Sequence, residues 1–251
     1  MSKSAEGRAR IAGWIIGFSI VLIADPSDAL RTASMQLPEG FAARTERLEA
    51  SGYGGYNRGQ FRLGEYSGEF TRIESRWAVF DPLYSRNNAK SSFSLRGPSI
   101  DEAIVAECEM KRGNVTFGVV TFDPQKMTYQ CSFSAGTAPL AARFVLGEKK
   151  REGMRARLVA RSDREGIAEI EGISVTIRSV HNYEGSKLQS ATPAGYLLEV
   201  DGTAIGGIEL TDVDPTFFLP TTSSAEVRRS VLVAAMALSV LRDPEDSDLG
   251  D

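Results

Sequence analysis

The chain has 251 residues, 42% of them hydrophobic and 25% charged, with a net charge of -4. Such a chain can bury a substantial core without disulfides or metal, and its acidic balance argues against a nucleic-acid protein, which usually carries a basic excess. The single histidine, His181, excludes any site needing two His ligands, and the two cysteines lie too far apart for a zinc-binding Cys-x-x-Cys pair.

The chain starts with Lys3, Arg8 and Arg10, followed by an uncharged apolar stretch from Ile11 to Ala24 and then Ser27-Asp28-Ala29. A basic start, a short apolar run and small residues at the end make a secretory signal over residues 1–29. The preferred cleavage follows Ala29, with Ala24 as the alternative. The apolar run falls short of the roughly 20 residues that span a bilayer. Competing readings are an uncleaved anchor, through which alone the protein would touch a membrane, and a core helix. The pattern predicts an exported protein, periplasmic or extracellular.

Residues 30–58 read as an N-terminal extension, with a short helix from Phe41 to Ala50 and a Gly/Tyr-rich loop from Ser51 onward. The recurrent Gly59, Gly64 and Gly68 suggest a strand bent by glycines. Strands then follow at short spacing, from Phe70 to Val79 and from Ser91 to Leu95. Ala103–Met110, Val115–Phe122 and Met127–Phe133 read as a three-strand meander. Ala141–Leu146 with Met154–Ala160, and Ile167–Ile170 with Ile173–Val180, read as hairpins. Tyr196–Val200 and Ala204–Leu210 flank Asp201-Gly202, a pair suited to a two-residue turn with positive φ.

The end of the chain is different. Ser223 and Glu226 read as a capping box, and Ser230 to Leu241 is apolar nearly all round, so the helix there must be buried on every side. Only the strands supply enough apolar surface to cover it. The predicted fold is therefore mainly β, a single antiparallel barrel of about 10–12 strands over residues 59–242, closed around the C-terminal helix. Residues 243–251 read as an acidic disordered tail.

The hairpin Tyr196–Leu210 and the helix Ser224–Arg242 resemble the tubby C-terminal-like superfamily, with its scramblase-like and LURP-one-related members. The resemblance implies a strand-rich barrel around a hydrophobic C-terminal helix, and a role connected with lipid. It carries no functional residue onto this sequence.

Candidate sites are sparse. Arg155, Arg157 and Arg161 share one face of a strand and could hold phosphate or carboxylate, against the simpler reading of a solvated strand face. Export favours a disulfide between Cys108 and Cys131. The predicted meander opposes it, because an intervening strand would hold the thiols about 9–10 Å apart, so the pairing stays open at this stage. Asp212 and Asp214 could bind a hard cation with Glu209, though carboxylates in a Pro-containing loop usually make turns. Tyr53, Tyr56 and Tyr66 could stack on sugars or on a partner. His181 has no identifiable nucleophile, and no Gly-x-Ser-x-Gly elbow is present.

No catalytic residue, metal site or cofactor motif emerges. The expectation is a non-enzymatic binding or interaction protein of the cell envelope, its partner an envelope protein, a lipid or a glycan and not nucleic acid. The alternatives are a secreted hydrolase using Asp and Glu carboxylates and a lipid-handling protein.

Overall fold

The computed structural model describes residues 33–55, 57–77, 86–112, 116–117, 120–121, 127–148, 163–187 and 189–241. The predicted leader, Tyr56, the strand Met154–Ala160, the cluster Arg155, Arg157 and Arg161, and the acidic tail lie outside these residues.

Among the described residues fourteen strands precede one α-helix: β1 (Thr45–Ser51), β2 (Arg58–Leu63), β3 (Tyr66–Trp77), β4 (Arg86–Gly97), β5 (Ile100–Arg112), β6 (Thr116–Phe117), β7 (Val120–Thr121), β8 (Met127–Ala135), β9 (Ala138–Glu148), β10 (Arg164–Ile170), β11 (Ile173–Val180), β12 (Gly195–Val200), β13 (Thr203–Glu209), β14 (Thr216–Pro220) and α1 (Ala225–Ser239). Twelve of the strands close into an antiparallel barrel, β1-β14-β13-β12-β11-β10-β9-β8-β5-β4-β3-β2, and the barrel encloses α1. Alternate residues along each strand face inward, as the period of a strand requires. Phe61 and Leu63, Phe93 and Leu95, Tyr129 and Phe133, and Val175 and Ile177 all enter the core this way. Residues Val231 to Leu238 of the helix have no exposed surface, so side chains fill the barrel axis.

Close packing of the helix depends on glycine at one position. A Cβ at Gly206 of β13 would lie 2.3 Å from Val231 Cγ1, so only glycine lets α1 approach that wall. A second, smaller apolar layer lies outside the barrel. The segment leading into β1 crosses the outer face of β12, β13 and β14, and buries Met35 and Phe41 against Ala194, Leu197 and Phe218. The rings of Phe41 and Phe218 meet edge-on at 5.7 Å.

Three expectations need correction. The barrel starts at residue 45, not 59, and the helix expected from Phe41 to Ala50 is a single 3-10 turn, Ala42–Arg44, followed by β1. The reason is barrel closure, because β1 joins β14 to β2 and without it the sheet would keep two open edges. The meander also changes. Its middle strand is absent from the barrel; β6 and β7 form a separate two-stranded ribbon, and β5 pairs directly with β8. That pairing aligns the inward rows Ala106, Cys108 and Met110 with Phe133, Cys131 and Tyr129. Finally, the helix cap is Ser224, not Ser223, and its hydroxyl accepts a hydrogen bond from Val227 N at 3.4 Å. The Asp201-Gly202 turn has the expected positive φ, 51° and 74°.

Candidate functional site: a polar groove on the outer wall

The direct pairing of β5 with β8 places Cys108 opposite Cys131, and the two are joined by a disulfide with their Cα atoms 4.0 Å apart. The intervening strand that opposed the bond does not exist. Both sulfurs face the core, so the bridge staples the barrel from inside.

The other sequence-derived candidates are dispersed and structurally committed. His181 is buried, with Nδ1 3.0 Å from Ser190 O and Nε2 3.1 Å from Ser179 Oγ and 3.6 Å from an Asp163 carboxylate oxygen. Glu209 accepts hydrogen bonds from Met35 N at 2.9 Å and Thr211 Oγ1 at 2.8 Å, which pins the outer segment to the wall. Asp214 accepts from Tyr53 N at 2.8 Å, and Asp212 from Val213 N at 2.6 Å. The three acids therefore do not converge, and no cluster of metal-ligating side chains occurs among the described residues.

Tyr53 leaves the Gly-rich loop and enters the core, where it stacks on Phe70 with ring centroids 4.9 Å apart. It has no face to offer a ligand. Tyr66 lines a cleft of about 290 Å³ beside the first turns of α1, together with Leu48, Ile100 and Leu232. The arginines of that cleft are engaged, Arg228 with Glu46 and the Pro220 carbonyl, and Arg229 with Glu171 and the Ser99 carbonyl.

A larger concavity than that cleft lies on the outer wall. Two adjoining depressions, of about 570 and 410 Å³, share Gln60, Glu69 and Ser94 and form one groove over β2, β3 and β4. Strand register arranges its outward residues in three rows. The first is Arg62, Ser67 and Arg96; the second is Gln60, Glu69 and Ser94; the third is Arg58, Thr71 and Ser92. Behind the groove the inward positions 59 and 68 are glycines, and a Cβ at Gly68 would sit 1.8 Å from the Ser94 carbonyl oxygen. Glycine permits this close coiling of strands, which bends the wall there.

The groove's polar groups are largely uncommitted. Thr71 and Ser92 hydroxyls bond to each other at 2.6 Å, and Ser94 Oγ accepts from Glu69 N at 3.3 Å. The guanidinium groups of Arg58, Arg62 and Arg96 and the Gln60 amide make no ion pair or side-chain hydrogen bond with other described residues. Sequence reasoning missed this set, although the signal was present in Arg58-x-Gln60-x-Arg62. Polar residues at alternate positions share a strand face, the same logic that drew attention to Arg155 and Arg157. What could not be read was the partner strand that brings Arg96 beside Arg62.

The chain matches no protein-family model, no curated protein and no solved structure.

Proposed function

We propose that the protein is exported and acts by binding, with its ligand held in the outer-wall groove over β2, β3 and β4. The observation that carries this reading is the set of Arg58, Arg62, Arg96 and Gln60 in one concavity, free of ion pairs and side-chain hydrogen bonds with the described residues. Polar groups pre-organised on a rigid sheet bind without a large ordering cost. The helix lies along the barrel axis with Val231 to Leu238 fully buried, which favours the outer surface. Export is supported by the leader pattern and by the disulfide, since such bonds persist in oxidising compartments. The hydrolase alternative is less well supported, because the groove is lined by one carboxylate, Glu69, where paired-carboxylate chemistry needs two.

Lipid handling keeps one specific support, the cleft beside α1, whose lining includes Leu48, Ile100 and Leu232. Together with the helix-in-barrel architecture it favours the resemblance to the tubby-like superfamily. The cleft's arginines are already paired, which ranks it below the groove.

The test has two parts. The protein recovered from its host's envelope has a mass starting at Leu30 if it is exported and cleaved. Binding to a panel of immobilised glycans, lipid vesicles and envelope proteins is then compared with that of Ser94→Trp, which fills the groove from an outward position. Binding lost in a variant that melts like the parent supports the reading. Binding retained in full by Ser94→Trp overturns it.

A further inference from the structure

Resting on the binding reading above, the geometry points to an acidic polysaccharide as the ligand of the groove, a chain rich in hydroxyls that carries carboxylates at intervals. Cations stand at three corners of the grid and a carboxylate stands at its centre. Arg62 and Arg96 flank Ser67 across two strand spacings, about 9–10 Å. Arg58 lies four residues from Arg62 on the same strand, about 13 Å away. A guanidinium pairs well with a carboxylate through two parallel hydrogen bonds. The corner spacing suits acidic groups set apart along a chain, and not one compact multivalent anion.

The middle row decides between polyanions. Glu69 is exposed and flanked by Gln60 and Ser94. An ionised carboxylate only accepts hydrogen bonds, whereas a carboxamide both donates and accepts. Sugar hydroxyls satisfy both, donating to Glu69 and bonding to either end of the Gln60 amide. A phosphodiester backbone or a sheet of anionic headgroups has few such donors for each charge and would bring dense negative charge against Glu69. The chain's overall charge of -4 further disfavours a purely electrostatic ligand. Lower down the wall the third row ends at Glu107, opposite Ser92, which closes that side to further acidic groups.

The test uses the full chain and three acidic probes, fragments of polygalacturonate, alginate and hyaluronan, against neutral malto-oligosaccharides of matched length and phosphatidylglycerol vesicles. Calorimetric titration is expected to show binding of at least one acidic glycan, tenfold or more tighter than any neutral one. Affinity falls several-fold between 50 and 200 mM salt. The double variant Arg62→Gln/Arg96→Gln weakens binding at least tenfold with an unchanged melting temperature.

No binding by any acidic glycan overturns the proposal, as does a double variant that binds like the parent, or vesicles that bind and displace the glycan. The two failures are separable. Neutral-glycan binding that Ser94→Trp abolishes overturns the acidic class and leaves the groove in place. Binding insensitive to Ser94→Trp overturns the groove itself.

Discussion

The two ends of α1 solve the same problem by different means. Each end of a helix leaves backbone groups without intrahelical partners, donors at the start and carbonyls at the finish. At the start the solution is wet. Ser224 caps Val227 N, and Arg228 and Arg229 tie the first turns to Glu46 and Glu171 on the barrel rim. These ion pairs are partly exposed, with 26% and 47% of the side-chain surface accessible in the first and 24% and 34% in the second.

At the finish the solution is mostly buried and neutral. Tyr129 OH donates to the Ala237 carbonyl at 3.2 Å and is itself 2.7 Å from Ser91 Oγ. Tyr53 OH lies 3.0 Å from Ser239 Oγ, and Arg72 Nη2 donates to the Ser239 carbonyl at 2.8 Å. The Arg72 guanidinium sits 4.5 Å from the Phe70 ring centroid and 5.5 Å from that of Tyr53. A cation at this end also complements the helix dipole. The contrast shows that exposure sets the chemistry of a cap. Paired charges serve where water shares the cost of holding them. Phenols, and one guanidinium stacked on aromatic rings, serve where the surroundings are largely dry.

The comparison breaks hardest at Arg72. Its replacement by Ala removes the charged donor to a buried carbonyl and two ring contacts, and the expected loss is about 2–4 kcal/mol, read from urea denaturation midpoints. A loss no larger than that of a surface substitution would show that the buried end does not depend on Arg72.

Alkaline pH should weaken the same end next. Burial raises the pKa of Tyr53 and of Tyr129 well above the ordinary tyrosine value, and their hydrogen bonds to Ser239 and Ser91 and the Arg72 charge offset this only in part. The raised folded pKa means that the stabilisation is complete below the unfolded value of about 10 and is lost as pH climbs above it. Stability should therefore hold from pH 7 to 9 and fall between 10 and 12, with the two phenols ionising only on unfolding, as followed by phenolate absorbance. Tyr53→Phe should lessen that fall, and an unchanged profile would count against the buried-phenol account.

The smallest effect belongs to the wet end. Arg228→Gln breaks a partly exposed pair with Glu46 and is expected to cost at most about 1 kcal/mol, less in high salt. A cost equal to that of Arg72→Ala would erase the distinction between the two ends.

Much of this architecture was legible in the sequence because its signals are local. Alternation marked the strand from Phe70, turn spacing marked Met127–Phe133, Ile167–Ile170 and Ile173–Val180 as strands, Asp201-Gly202 marked a turn whose φ values only such residues adopt easily, and the all-apolar Ser230–Leu241 required a surrounding sheet. The misreadings fall where local pattern competes with long-range pairing. Thr45–Ser51 has the mixed look of a short helix and is a strand because β14, far along the chain, offers it an edge. Thr216–Pro220 is buried at every position, with α1 inside and Phe41 outside, so it shows no alternation to detect.

The sequence by itself determined the class of the fold and the burial of the final helix, since each depends on composition or on short-range periodicity. Only the tertiary structure decided the disulfide and the groove. Cys108 and Cys131 meet because β5 skips the next segment to pair with β8, and Arg96 meets Arg62 because Ser67 of β3 registers between them. Register between strands is a property of the closed sheet as a whole, fixed by which faces the core can bury, and no short window of sequence contains it.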